Sequence, residues 1–168
     1  DWLWEPRIAR QRITILDGDP GVGKSFITQA IAATLSRGDL LPEMRETPKG
    51  PANSILLTVE DDLANVVRPR LDQMGAVTDR IFADDQLLSL DENGFNTLRA
   101  MVEEKRPALV IIDPIVAYLP KNVDMNKANE VRTIMAELAQ LARQYDCAIL
   151  LVRHLAKSGA NRAIHRGY

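Results

Sequence analysis

Two runs of this chain restrict its fold more than any other feature. "ALVIID" (108–113) and "CAILLVRH" (147–154) are apolar at successive positions, so as strands they would carry hydrophobic side chains on both faces. Such strands must be covered on both sides, which is the condition of a parallel sheet between layers of helices. The helices are legible too. Val131, Ile134, Met135, Leu138, Leu141 and Ala142 form one long helical stripe, and Phe95, Leu98, Met101 and Val102 form another, stopped before Pro107. Leu63, Val66, Val67, Leu71 and Met74 mark a third, ended by Gly75. Shorter strands are expected at "RITILDG" (12–18), "SILLTVE" (54–60) and "RIFA" (80–83). The first of these leads into a helix with Phe26, Ile27, Ala30 and Ile31 on one face. "GDLLPEMRETPKGPANS" (38–54), with three prolines, reads as a loop. Strands alternating with helices imply an α/β fold with a mostly parallel sheet.

The 168 residues suit a single domain, 1–168, with a sizeable core. At a net charge of −2 the chain is not a basic nucleic-acid binder as a whole, so any such role needs a local patch. The one cysteine, Cys147, excludes an internal disulfide framework and fits a reducing, cytoplasmic setting. No apolar run approaches the roughly 20 residues of a membrane span. "DWLWEPRIAR" (1–10) lacks a signal-peptide core and an initiator Met, so a piece of a longer protein is expected.

In parallel α/β sheets chemistry gathers at the carboxyl ends of the strands. At the end of the first expected long strand stand Gly18, Asp19, Pro20, Gly21, Val22, Gly23, Lys24 and Ser25, followed by Phe26. The first eight match the phosphate-binding pattern G-x-x-x-x-G-K-[ST], in the strand-then-helix context that it requires. The glycines let backbone N–H groups turn inward round a phosphate, and the following helix aims its positive end at the same anion. Lys24 is expected to reach the β- and γ-phosphates of ATP, and the Ser25 hydroxyl to ligate Mg²⁺. The bland alternative is a glycine turn with a surface lysine. With Gly at about 7% of residues, a chain of this length meets the pattern by chance on the order of one time in a hundred.

Asp113 ends the apolar strand 108–113, the position of an aspartate that holds Mg²⁺ in such proteins. By itself it also suits a turn, since Asp-Pro is a common turn starter. Pro114 follows it, so the carboxylate that activates water must come from elsewhere. Glu60, at the end of "SILLTVE" and followed by Asp61 and Asp62, is the candidate. The competing reading gives all three acids to the first turn of the next helix, where they favour its dipole, with Asp61 or Asp62 as the cap. A guanine-nucleotide site does not fit. No Gly stands at the D-x-x-G spacing after Asp113, and "NKAN" (126–129) carries Asn129 where the guanine-reading aspartate belongs. Asn129 is better taken as a helix cap. His154, at the tip of a buried strand, can sense a γ-phosphate or simply bond a local carbonyl.

The blocks "GDPGVGKS", "TVEDDLANVVRPRL", "VIIDPIVAYLPKNVDMNKANEVR" and "AILLVRHLAKSG" follow one another in the order found in RecA-like ATPases. Together they most resemble the RepA-type hexameric replicative helicases and the related ATPases of phages, plasmids and bacterial genomes. The resemblance covers nearly the whole chain. It implies a RecA-like P-loop core in which the strand ending at His154 lies between the P-loop strand and the strand ending at Asp113. It also implies that Lys24 and Ser25 sit in the Walker A motif, and that Glu60 takes the place of the catalytic glutamate, Asp113 that of the Walker B aspartate and His154 that of the γ-phosphate sensor. In this family ATP lies between subunits of a ring, commonly a hexamer, and a neighbour's arginine completes the site. The strands that carry that arginine would fall beyond Tyr168. The function implied is ATP binding and hydrolysis by the motor core of a hexameric replicative DNA helicase or a related DNA-replication ATPase. The alternatives are a recombination or regulatory ATPase without unwinding, and an assembly module that binds ATP without hydrolysing it. After His154, "LAKSGANRAIHRGY" (155–168) holds Lys157, Arg162 and Arg166 and no acid. The resemblance sets this tail beside single-stranded DNA in the central channel, where flexible cations would attract phosphates in a salt-dependent way. A frayed, solvated terminus is the alternative.

Overall fold

A computed structural model describes residues 1–45, 50–86, 88–124 and 127–154. Five strands form one parallel sheet: β3 (Ile13–Gly18), β4 (Ser54–Thr58), β5 (Ile81–Asp84), β6 (Leu109–Asp113) and β7 (Ala148–His154). Their order is β3-β7-β6-β4-β5, so β7 lies between the P-loop strand and β6, as the resemblance implied. Every residue of β4 and β6 is buried: the apolar runs Ile55–Leu57 and Leu109–Ile112, and with them the polar Ser54, Thr58 and Asp113 at the strand ends.

Side-chain alternation divides these strands between two cores. Leu56, Leu109, Ile111, Ala148 and Leu150 face one side, against Ile31, Ala32, Ala33 and Leu35 of α1 (Lys24–Arg37). On that side Val67 and Leu71 also pack, the second from α2 (Arg68–Gln73). Ile55, Leu57, Val110, Ile112, Ile149 and Leu151 face the other side. There they meet Phe95, Leu98 and Val102 of α3 (Glu92–Lys105), and Ile134, Leu138 and Leu141 of α5 (Ala128–Gln144). A short helix, α4 (Ile115–Tyr118), follows β6 directly. The result is an α/β fold with helices on both faces, consistent with a RecA-like core.

Four details depart from the sequence expectations. A two-stranded antiparallel pair, β1 (Trp2–Trp4) and β2 (Ile8–Ala9), precedes the sheet and buries Leu3 and Ile8 on the α1 side. In α1, Phe26 and Ile27 are exposed, while the covered face carries Thr28, Gln29, Ala32, Leu35 and Ser36. Of the expected face, Ile31 is buried and Ala30 half-buried; because the covered face mixes polar and apolar residues, hydrophobicity alone misplaced Phe26 and Ile27. The expected helix over 63–74 begins as a π-helical turn, Leu63–Val67, before α2, which carries Pro69 in its first turn. Asn129 is not the cap of α5; Lys127 holds that position without a side-chain capping bond, and Asn129 lies inside the first turn.

Candidate nucleotide site

The segment between β3 and α1 takes the form that its glycines permit. Gly21 and Gly23 adopt φ of 80° and 89°, where a side chain would be strained. Gly23 caps α1 with no side-chain bond, and no acid lies in the first turn of α1. The first turn of α1 therefore supplies no anion of its own to the positive end of the helix dipole. Lys24 is only 5% exposed. Its Nζ donates to the carbonyl oxygens of Gly18 (2.8 Å) and Asp19 (2.7 Å), so the cation lies across the root of the loop. A Cβ at position 18 would approach Val22 Cγ2 to 3.3 Å and Lys24 Cδ to 3.5 Å, which leaves little room there.

Asp113 ends β6 on the α1 side of the sheet, like Leu109 and Ile111 four and two residues earlier. It is 2% exposed, and its Oδ1 has no hydrogen-bond partner among the described residues. Burial pushes its carboxyl above the ordinary value; a hydrogen bond with Ser25 opposes this, Glu60 and Asp61 add to it, and His154 opposes it. A buried carboxylate with a free oxygen beside a hydroxyl fits a divalent cation that takes its remaining ligands from phosphate and water. Among the described residues no cluster of three or more His, Cys, Asp or Glu could cage a metal on its own.

The three acids after β4 have separate surroundings. β4 ends at Thr58, so Glu60 lies two residues past the strand and not within it as expected. The Asp62 carboxylate accepts from the Asn65 N–H at 2.7 Å and caps the π-helical turn. Asp61 accepts from Arg70 Nη1 at 2.8 Å and from Gln29 Nε2 at 3.4 Å. Glu60 extends toward β7, where its Oε2 lies 3.3 Å from His154 Nε2. Its side chain is 54% exposed and that of His154 27%, while His154 Nδ1 is buried without a partner among the described residues. Lys24, Ser25, Glu60, Asp113 and His154 thus converge at the carboxyl end of the sheet, on its α1 side. Val22 and Phe26 flank them, 60% and 53% exposed. The tail residues Lys157, Arg162 and Arg166 lie outside the described residues.

Sequence reading missed Gln29 and Arg70. Gln29 is four residues after Ser25, so the helical period already set both on one face. Arg70 gave no local signal, because its pairing with Asp61 depends on how the π-helical turn directs the chain into α2. A cavity of about 840 Å³ lies away from this site, near the amino ends of the strands; Leu3, Arg10, Leu35, Pro51 and Ala108 line it.

A family model described as an AAA domain matches residues 1–160. The chain belongs to that family, whose RecA-like P-loop ATPase character agrees with the sheet order and the glycine loop. Among similar proteins is the DNA repair protein RadA of Streptococcus pneumoniae, 26% identical over 149 residues, 88% of this chain and 31% of the relative. RadA of Bacillus subtilis is 23% identical over 155 residues, 91% of this chain and 30% of the relative. RadA of Mycobacterium tuberculosis is 26% identical over 150 residues, 88% of this chain and 28% of the relative. The chain therefore spans less than a third of the length of these relatives. No helix among the described residues is long and apolar enough to cross a membrane.

Proposed function

We propose that this chain is one RecA-like domain, 1–168, that binds Mg-ATP and hydrolyses it. The observation that carries the reading is the convergence of Lys24, Ser25, Glu60, Asp113 and His154 on one rim and one face. Gly18 to Phe26 would wrap the phosphates, with backbone N–H groups and the end of α1 directed at them. Lys24, now bonded to two loop carbonyls, would exchange these for β- and γ-phosphate oxygens. Ser25 and Asp113 would hold Mg²⁺, which when bound offsets phosphate charge. Asp113 is suited to this because its charge is buried and one oxygen has no partner. Glu60 is the base that orients and deprotonates the attacking water; it is the one acid of its trio that neither caps a helix nor pairs with an arginine. His154, in contact with Glu60, senses the γ-phosphate.

The finer reading is a motor that works on DNA, in a cytoplasmic homo-oligomeric ring of the hexameric kind. The family resemblance favours a replicative helicase. The RadA relatives, described as DNA repair proteins, favour a recombination or repair ATPase. Either would grip single-stranded DNA, with Lys157, Arg162 and Arg166 as backbone contacts. ATP turnover with and without single-stranded DNA tests the shared part, and strand displacement on a forked duplex separates the two. ATP binding with no turnover under any condition would leave only the assembly-module alternative.

A further inference from the structure

Beyond the five residues of the nucleotide site, β7 carries a side-chain clamp on its opposite face. Its ladder with β6 ends at Ile112 and Leu151. Its ladder with β3 runs on through Leu16–Val152, Asp17–Arg153 and Gly18–His154. Among the described residues, the last three of β7 are therefore paired on one side only, and their partner β3 is an edge strand. A strand end held that way frays unless side chains secure it. At this level Arg153 Nε donates to Asp17 Oδ1 at 2.6 Å and Arg153 Nη2 to Asp17 Oδ2 at 2.7 Å. This two-pronged geometry fixes orientation as well as distance. Alternation turns both side chains toward the α5 side, away from His154 and the phosphate loop.

We propose that Arg153 and Asp17 are positioning residues that lock the end of β7 to the root of the phosphate loop and so hold His154 against Glu60. The inference rests on the ATPase reading for its consequence, but its geometry can be tested separately. Asp17 immediately precedes Gly18, and Arg153 immediately precedes His154, so the clamp ties the two functional segments at adjacent residues. Each partner is 36% exposed, so the pair adds little to overall stability and its effect is local.

The test uses the 1–168 chain with isotopically labelled histidine. In the wild-type frame, Glu60→Gln shifts the His154 ring resonances, because the two side chains touch. In the Arg153→Ala frame that response is expected to be largely lost, and amide-exchange protection at Val152–His154 to fall while Ile149–Leu151 stay protected. Arg153→Lys, which keeps the charge but not the fork, should fall between. Where turnover is measurable, Arg153→Ala should lower kcat about 5-fold, the most that so exposed an ion pair supplies, and leave nucleotide affinity within about 2-fold. An unchanged His154 response to Glu60→Gln in the Arg153→Ala frame, or unchanged protection at Val152–His154, overturns the clamp. Wild-type turnover in Glu60→Gln would instead overturn the assignment of Glu60 and leave the resonance test of the clamp standing.

Discussion

Asp113→Asn should make the protein more stable without nucleotide and less responsive to it. The Asp113 carboxylate is 2% exposed, its Oδ1 has no partner among the described residues, and Glu60 and Asp61 add negative potential. Its folded value lies above the unfolded 3.8. Between those two values the folded state keeps a proton that the unfolded chain has released, so stability falls as pH rises through that window. Above the window the fold carries the full cost of the charge. The amide has nearly the same shape and no charge. Against its own unmet hydrogen bond, the gain at neutral pH should be on the order of 1–2 kcal/mol. For a chain of this size that corresponds to a rise in Tm of roughly 2–8 °C.

Mg-ATP should reverse the ranking. At about 100 times its Kd a ligand adds about 2.7 kcal/mol to the protein that binds it, and the variant lacks the carboxylate that would hold the cation. Thermal unfolding of both proteins, with and without Mg-ATP, at pH 7.5 and at pH values stepped down toward 4, checks both halves. The nucleotide-free advantage of the variant should shrink toward the acid end, as wild-type Asp113 takes up its proton. A variant that is less stable than wild type at pH 7.5 without ligand, or an advantage that does not change with pH, would refute this account of Asp113.

Lys24→Ala should abolish tight ATP binding in an equilibrium titration, whereas Glu60→Gln should bind Mg-ATP normally and turn it over roughly 10² or more times slower. Gly94→Ala should destabilise the fold by about 3 kcal/mol or more in urea titrations, because a Cβ there would lie 1.6 Å from the Ser89 carbonyl oxygen. Lys157→Ala combined with Arg162→Ala, made in the full-length parent, should weaken single-stranded DNA binding and reduce its salt dependence while sparing ATP binding; equal binding at several salt concentrations would remove the tail from the DNA contact.

The parts of this fold that sequence makes visible are those whose cause is local or strictly periodic. β6 and β7 are legible because Leu109–Asp113 and Ala148–His154 have to be covered on both faces, and only a sandwiched sheet does that. The glycine loop is legible because its spacing is set by a few consecutive dihedrals. Failures arise where covering is decided by something distant. The exposure of Phe26 and Ile27 follows from which side of α1 meets the sheet, and that side buries Thr28, Gln29 and Ser36. The antiparallel pair at Trp2–Trp4 and Ile8–Ala9 is too short to have a period. Glu60 was placed at the end of a strand that stops at Thr58.

The same two-sidedness governs how the candidate site is built. On a strand sandwiched between helices, successive residues serve different cores, so a residue that faces the nucleotide loop is adjacent to one that faces away. His154 touches Glu60 on the α1 side while Arg153 grips Asp17 on the α5 side. Sequence reading weighed His154 because it is a polar residue at the tip of a buried strand, at the place of the family's γ-phosphate sensor. Arg153 had none, although in register it pairs with the residue just before the phosphate loop. That register is a long-range fact, spanning residues 17 and 153, and no local pattern encodes it. If the proposed clamp holds, chemistry on one face of this sheet depends on a contact on the other, and substitutions on the α5 side should alter turnover without touching nucleotide.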